Sequence, residues 1–206
     1  EIKAQNLEDI YDLERRLQPC LIDMRMHGVR VDLDAAEKAR ATLSAQEKEV
    51  MHQIKKTSGH DIEVWAAASI AKAFDHLNIA YPRTPKSGAP SFTKNFLSSN
   101  EHPLAQMIVE AREINKANST FIETILRHQH KGRIHSEIHQ MRSDDGGTVT
   151  GRFSYSNPNL QQIPARNPLI KKIIRSLFVP ERGKRWGTFD YSQQEPRLVV
   201  HYAHTD

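Results

Sequence analysis

Apolar residues recur at helical spacing along most of this chain. Leu13, Leu17, Leu21 and Met24 fall every three or four positions before Gly28, which predicts a connecting helix, and Val29 with Val31 predicts a short extended exit. Asp34 and Glu37 have the spacing of a capping box. Ala36, Ala39, Leu43, Val50, Met51 and Ile54 then continue as an apolar stripe to Gly59, so one long amphipathic helix is expected there. A smaller helical element is expected within 62–81, around Ala66, Ile70, Phe74 and Leu77, and the proline-containing stretch 82–90 reads as a loop. Pro103 suits a first helical turn, and Leu104, Met107, Ile108, Ala111, Ile114, Phe121, Ile122 and Ile125 predict a second long helix. Farther on, Trp186, Gly187, Thr188 and Phe189 suit a short buried strand, with a helix opening near Ser192.

Composition narrows the class. A chain of 206 residues with 38% hydrophobic content can bury a sizeable core and hold two substructures. No apolar run approaches a membrane span and no basic-then-apolar leader opens the sequence, so no membrane partner is expected. The single cysteine, Cys20, excludes an internal disulfide framework and a multi-cysteine metal site, and fits a reducing compartment. The formal charge of +4 is modest but unevenly spread: residues 127–185 hold twelve lysines and arginines against Glu137, Asp144, Asp145 and Glu181. Such a run usually means a solvated face. Its other meaning is a surface for a polyanion, bound through phosphate contacts and counterion release.

Asp190 ends the expected strand, where its carboxylate could meet a hard cation such as magnesium while the amides opening the next helix face phosphate oxygens. Taken alone, it reads better as a cap for the helix near Ser192. A second block changes that reading: Thr150, Gly151, Arg152, Phe153 and Ser154, followed by Asn157, Pro158, Asn159, Leu160, Gln161, Gln162, Ile163 and Pro164. With the run Asp190, Tyr191, Ser192, Gln193, Gln194, Glu195, Pro196, Arg197, it resembles the family A DNA polymerases, the bacterial polymerase I type, including those of phages. In that family a Thr-Gly-Arg and a Pro-Asn-Leu-Gln-x-Ile-Pro precede an Asp-Tyr-Ser-Gln-x-Glu-x-Arg at a similar interval. The resemblance extends back through Lys116, Ser119 and Thr120, through His102-Pro103-Leu104, and to Gly28-Val29-Arg30-Val31-Asp32, covering almost the whole chain.

The resemblance implies an α+β fold, mostly α, in which long antiparallel thumb helices are followed by the start of an antiparallel palm sheet. Residues 1–30 would be a connecting helix, 31–132 the thumb, and 133–206 the first part of the palm. Its chemistry would be two-metal phosphoryl transfer to a primer 3′ end, with two Mg2+ ions as cofactors and deoxynucleoside triphosphates and primer–template DNA as partners. Asp190 would be the catalytic and metal-binding acid, and Tyr191 would add a backbone carbonyl to the metal shell. Ser192 and Gln193 would lie beside the triphosphate, and Glu195 would exclude a ribose 2′-hydroxyl. Arg152, Asn159 and Gln161 would test base-pair geometry from the minor groove, whose acceptors are shared by all pairs. Lys116, Ser119 and Thr120 would hold phosphates, which positions a duplex without reading it, and Arg166 would join the DNA contacts. Lys171, Lys172 and Arg175 read as solvated. A cytoplasmic location, in a bacterial nucleoid or an infected host cell, goes with these roles.

Two departures from the family pattern stand out. Gln194 and Pro196 flank Glu195 where the commoner pattern has aliphatic residues, and proline removes an amide donor and fixes a backbone angle. The fingers helix with its lysine and tyrosine, and the second palm aspartate, have no counterpart in the 206 residues. The polypeptide alone is therefore expected not to polymerise DNA, the activity belonging to a longer or split enzyme whose missing fingers and palm polypeptide would be a further partner. The alternatives are a noncatalytic duplex-DNA-binding module and a single-subunit RNA polymerase, and Glu195 argues against the latter. The run His135-x-Glu137-x-His139 puts its glutamate at the wrong offset for a zinc hydrolase and reads as surface histidines.

Overall fold

The computed structural model describes residues 2–144, 146–164 and 167–203. Two long helical runs form its frame. Helix α1 (Glu8–His27) leads into strand β1 (Val29–Arg30) and then α2 (Leu33–Ser58). After the short helices α3 (Ala67–His76) and α4 (Lys94–Ser99), the second run consists of α5 (Pro103–Lys116), a π-helical segment (Ala117–Ile122) and α6 (Glu123–His128). The runs are antiparallel, because Asn115 bonds Glu47, Asn118 bonds Ser44, and Arg40 pairs with Glu123: one number rises as the other falls.

The seam between the runs is the core. Ala36, Leu43, Val50 and Ile54 of α2 are buried together with Leu104, Ile108, Ala111 and Ile114 of α5 and Ile122 and Ile125 beyond it. Each fully buried leucine or isoleucine contributes roughly 1.5–3 kcal/mol of transfer free energy. Ile70 and Phe74 of α3 cap one end of the seam, where Phe74 and Phe92 meet edge to face at 5.0 Å. Arg112 ties the connecting loops down, donating to the carbonyls of Val64 and Phe92 at 2.6 and 2.8 Å.

The start of α2 departs from the expected capping box. Asp32, not Asp34, is the N-cap, its Oδ1 accepting from the amide of Ala35 at 2.9 Å. Glu37 instead pairs with Arg40. The reason lies outside the helix. Asp32 donates its amide to the carbonyl of Leu177, and Val31 bridges Phe178, so the chain is still extended at 31–32 and the helix opens only afterwards. Helix α1 forms as predicted, yet Leu21 alone of its apolar stripe is buried, and Leu13 and Met24 remain about half exposed.

Two small sheets follow. β2 (Gln129–His130) and β3 (Arg133–Ile134) form a hairpin through Lys131 and Gly132, both at positive φ as a two-residue I′ turn demands, and β1 joins the other edge of β3 in the order β1-β3-β2. This sheet joins residues from both sides of the boundaries expected at 30 and 132. Gly28 is needed beside it, since at φ +63° a Cβ would lie 2.6 Å from the carbonyl oxygen of Ile134. β4 (Glu137–His139) pairs antiparallel with β5 (Ser154–Ser156).

After a 3-10 turn (Leu160–Gln162) comes α7 (Pro168–Ser176), capped by Asn167 and burying Ile170 and Ile174. Its signal was in the sequence, as an Asn-Pro start followed by apolar residues four apart with Lys171, Lys172 and Arg175 on the exposed side. The last element is α8 (Gln194–Ala203). The fold is thus α+β and mostly helical, as expected, and among the described residues no helix is long and apolar enough to cross a membrane.

The buried strand expected at 186–189 is absent. Trp186 is 59% exposed and Phe189 96% exposed. A strand needs a ladder partner for its amides and carbonyls, and no described segment pairs with these residues. Asp190 consequently stands on an exposed, irregular stretch, and the helix opens at Gln194 rather than near Ser192, after Gln193 turns through a φ of +57°.

Candidate nucleic-acid interface

The residues singled out in the sequence fall on three pieces of this frame. Lys116 ends α5, and Ser119 and Thr120 lie within the π-helical segment. A π turn widens the helix by an extra residue and recurs at functional sites. Here it accommodates Ala117 and Ile122 in the core while Ser119 faces outward. Ser119 donates its hydroxyl to the carbonyl of Asn115 at 2.8 Å, so in this state its proton is committed to the helix. Lys116 has no ion pair among the described residues, whereas its neighbour Lys94 is held 2.6 Å from Glu113.

The second piece is the loop from β5 to Pro164. Asn157 adopts φ +49°, which asparagine tolerates better than most residues. Asn159 caps the 3-10 turn, its Oδ1 accepting from the Gln161 amide at 3.0 Å, and Gln161 folds back to donate Nε2 to the carbonyl of Phe153 at 3.0 Å. The turn chemistry and the exposed amides therefore coexist: the second Nε2 proton of Gln161 and the Nδ2 group of Asn159 have no partner among the described residues. The loop is drawn against the helical run. Thr120 and Asn159 line one groove of about 190 Å³, and Lys116 and Gln162 line another of about 400 Å³.

The third piece is the start of α8. Glu195 forms an ion pair with Arg152, bringing together the two sequence blocks 43 positions apart. Both side chains are more than 70% exposed, and such a pair contributes ~0–1 kcal/mol, little enough for a ligand to displace. Asp190, Tyr191, Ser192 and Gln193 are all exposed, and none is joined to Arg152 or to the 157–164 loop. Arg166 lies outside the described residues.

Three acidic residues to which sequence reasoning gave no role organise this surface. Glu113 accepts from Lys94 and, at 2.7 Å, from Nδ2 of Asn167, linking α5 to the start of α7. Desolvation pushes its carboxyl up, but the hydrogen bonds from Lys94 and Asn167 outweigh that and hold it below the ordinary range. Glu137 is held low by hydrogen bonds from Asn157 and Ser156, and Glu181 by its bond from Arg133. Partners 54 and 20 positions away leave no local signal in a sequence. His135 and His139 are half-buried rather than surface residues, bonded to the Arg25 carbonyl and the Ser156 hydroxyl.

The donor set bears on magnesium. That ion takes six oxygens, commonly one or two carboxylates with the rest from water and phosphate. Among the described residues no group of three or more potential metal ligands comes together. An exposed Asp190 carboxylate suits one arm of such a shell by its chemistry, and no group of three acids, histidines or cysteines gathers round it among the described residues.

Residues 33–206 match the DNA polymerase family A. A DNA-directed DNA polymerase of Pseudomonas phage M6 is 38% identical over 98% of this chain and 32% of its own length. The DNA polymerase DpoZ of Acinetobacter phage SH-Ab 15497 is 36% identical over 98% of this chain and 36% of its own, and the thermostable DNA polymerase I of Thermus filiformis is 33% identical over 93% and 23%. The fold resembles the POL domain of Pol1 from M. smegmatis, solved in complex with DNA primer-template and dNTP, with a TM-score of 0.76 and 26% identity over 92% of this chain and 33% of that one. The chain spans about a third of the length of its phage relatives. With 33–206 of its 206 residues matched, the chain belongs to DNA polymerase family A.

Proposed function

We propose that this chain is the duplex-gripping portion of a DNA-directed DNA polymerase: residues 1–30 a connecting helix, 31–132 the thumb, and 133–206 the first part of the palm. The observation that supports the reading is that Thr120 of the π-helical segment and Asn159 of the 157–164 loop line one groove. A duplex laid across the outer surface of these segments would meet Lys116, Ser119 and Thr120 at its phosphates and Arg152, Asn159 and Gln161 at its minor groove. Arg166 belongs with the same contacts. In the complete protein the reaction is addition of deoxynucleotides to a primer 3′ end, and its partners are primer–template DNA, deoxynucleoside triphosphates and the polypeptide bearing the fingers and second palm half. The place of action is the cytoplasm, where nucleoid or phage DNA lies. Asp190 and the Tyr191 carbonyl would hold magnesium, which when bound activates the 3′-hydroxyl and stabilises the leaving pyrophosphate. Ser192 and Gln193 would stand beside the triphosphate, and Glu195 would reject a 2′-hydroxyl.

Fluorescence anisotropy with a labelled primer–template tests the gripping role. Binding should weaken steeply as salt rises, and Arg152→Ala should lower affinity by about tenfold, the scale of one good minor-groove contact. No salt-dependent binding by the parent chain would overturn the reading. In a primer-extension assay with magnesium the 206-residue chain alone should be inactive, and extension by the pure chain would refute that part.

A further inference from the structure

The run His135-x-Glu137-x-His139 has an explanation other than metal. Glu137, on β4, accepts three hydrogen bonds, two from the end of β5 and the turn after it and one from α1. Its Oε2 takes Nδ2 of Asn157 at 2.9 Å and the hydroxyl of Ser156 at 3.0 Å, and its Oε1 takes the guanidinium of Arg25, from α1, at 3.3 Å. His139 stands 2.7 Å from the same hydroxyl. A serine has one proton to give, and here it goes to a carboxylate that can only accept, so Nε2 of His139 must be the donor to Ser156. The result is a directed chain, His139 to Ser156 to Glu137, with Asn157 and Arg25 converging on its end.

We infer that Glu137 is a positioning residue for duplex recognition, fixing the base of the loop that presents Asn159 and Gln161. The inference rests on the proposal that those two amides touch primer–template DNA. Ser156 and Asn157 are the residues at which the chain leaves β5 and turns, and Asn157 does so in the left-handed region. Asn159 and Gln161 then close the loop on themselves and on Phe153. The tip keeps free donors, since Nδ2 of Asn159 and the second Nε2 proton of Gln161 have no partner among the described residues. Without Glu137, Asn157 and Ser156 lose a shared acceptor, and the tip is presented from an unanchored base.

The experiment is a mutant cycle on primer–template affinity in the full-length protein, with thermal melting alongside. Glu137→Ala should weaken binding about tenfold, the effect of losing a charge-assisted anchor. Glu137→Gln, which keeps an acceptor for Asn157 and Ser156, should recover most of it. The decisive arm is Glu137→Ala placed in an Asn159→Ala/Gln161→Ala background, where its penalty should vanish because there is no tip left to position. A penalty of the same size in that background, or none in the parent, overturns the positioning role. If Asn159→Ala/Gln161→Ala itself binds as well as the parent, the contact assignment fails instead, a different outcome from the failure of Glu137. Melting separates both from simple loss of folding, since a fall in affinity caused only by unfolding tracks the melting temperature across all variants and does not depend on the background.

Discussion

Arg152 and Glu195 are paired in this structure, yet each is assigned to a different partner, Arg152 to the minor groove and Glu195 to the sugar of an incoming nucleotide. Because their pair is exposed, exchanging it for a ligand costs little. Glu195→Ala in the complete polymerase should lower discrimination against ribonucleotides by about tenfold or more, the worth of ~1.4 kcal/mol or greater. Single-nucleotide incorporation with dNTP and rNTP measures it, and an unchanged ratio would remove Glu195 from the selector role. Pro196, which departs from the family pattern, is accommodated within the first turn of α8. A purely conformational prediction concerns Gly28. A methyl there must displace the Ile134 carbonyl while holding φ at +63°, so Gly28→Ala should destabilise by about 1–3 kcal/mol in urea titration.

At the level of elements, the informative cases are those in which local pattern and environment compete. Asp34 and Glu37 satisfy the spacing of a capping box, but the cap is Asp32, because its backbone is already bonded to Leu177 in extended form. Asp32→Ala should therefore cost about 1 kcal/mol, whereas Asp34→Ala should fall within about 0.5 kcal/mol of the parent. Equal effects of the two substitutions on the chemical denaturation midpoint would contradict this. The second long run was legible as a helix from its apolar period, but the π-helical segment at its centre was not. An extra residue in one turn shifts the apolar face by about a third of a revolution. The sequence carries that shift only as the five-residue step between the buried Ala117 and Ile122. The predicted strand at 186–189 failed for the opposite reason. Its residues have strand propensity, and propensity without a partner does not make a ladder.

Over the whole molecule, carboxylates tie together segments distant in the chain. Glu113 joins α5 to α7, Glu137 joins α1 and β4 to β5, and Glu181 holds Arg133. All three have folded pKa values below the ordinary 4.5. Their contribution is therefore present above that value and is lost as pH falls through the lower folded values, since protonation is then easier in the unfolded chain. The urea midpoint should be nearly flat from pH 7 to about pH 5 and should fall between about pH 4.5 and pH 3. A midpoint that rises on acidification in that window would mean that these acids are not stabilising.

The sequence by itself determined the helical frame and the family, and it supplied the residues proposed to meet DNA and nucleotide. These are carried by periodicity and by short strings of chemistry, both of which are local. Only the tertiary structure decided where those residues meet. It brought Thr120 and Asn159 to the lining of one groove, paired Arg152 with Glu195, and recruited Glu113 and Glu137, whose partners lie 54 and 20 positions away. The physical reason is that a carboxylate acquires its role from the donors that folding brings within about 3 Å, and no pattern of neighbours along the chain encodes that distance.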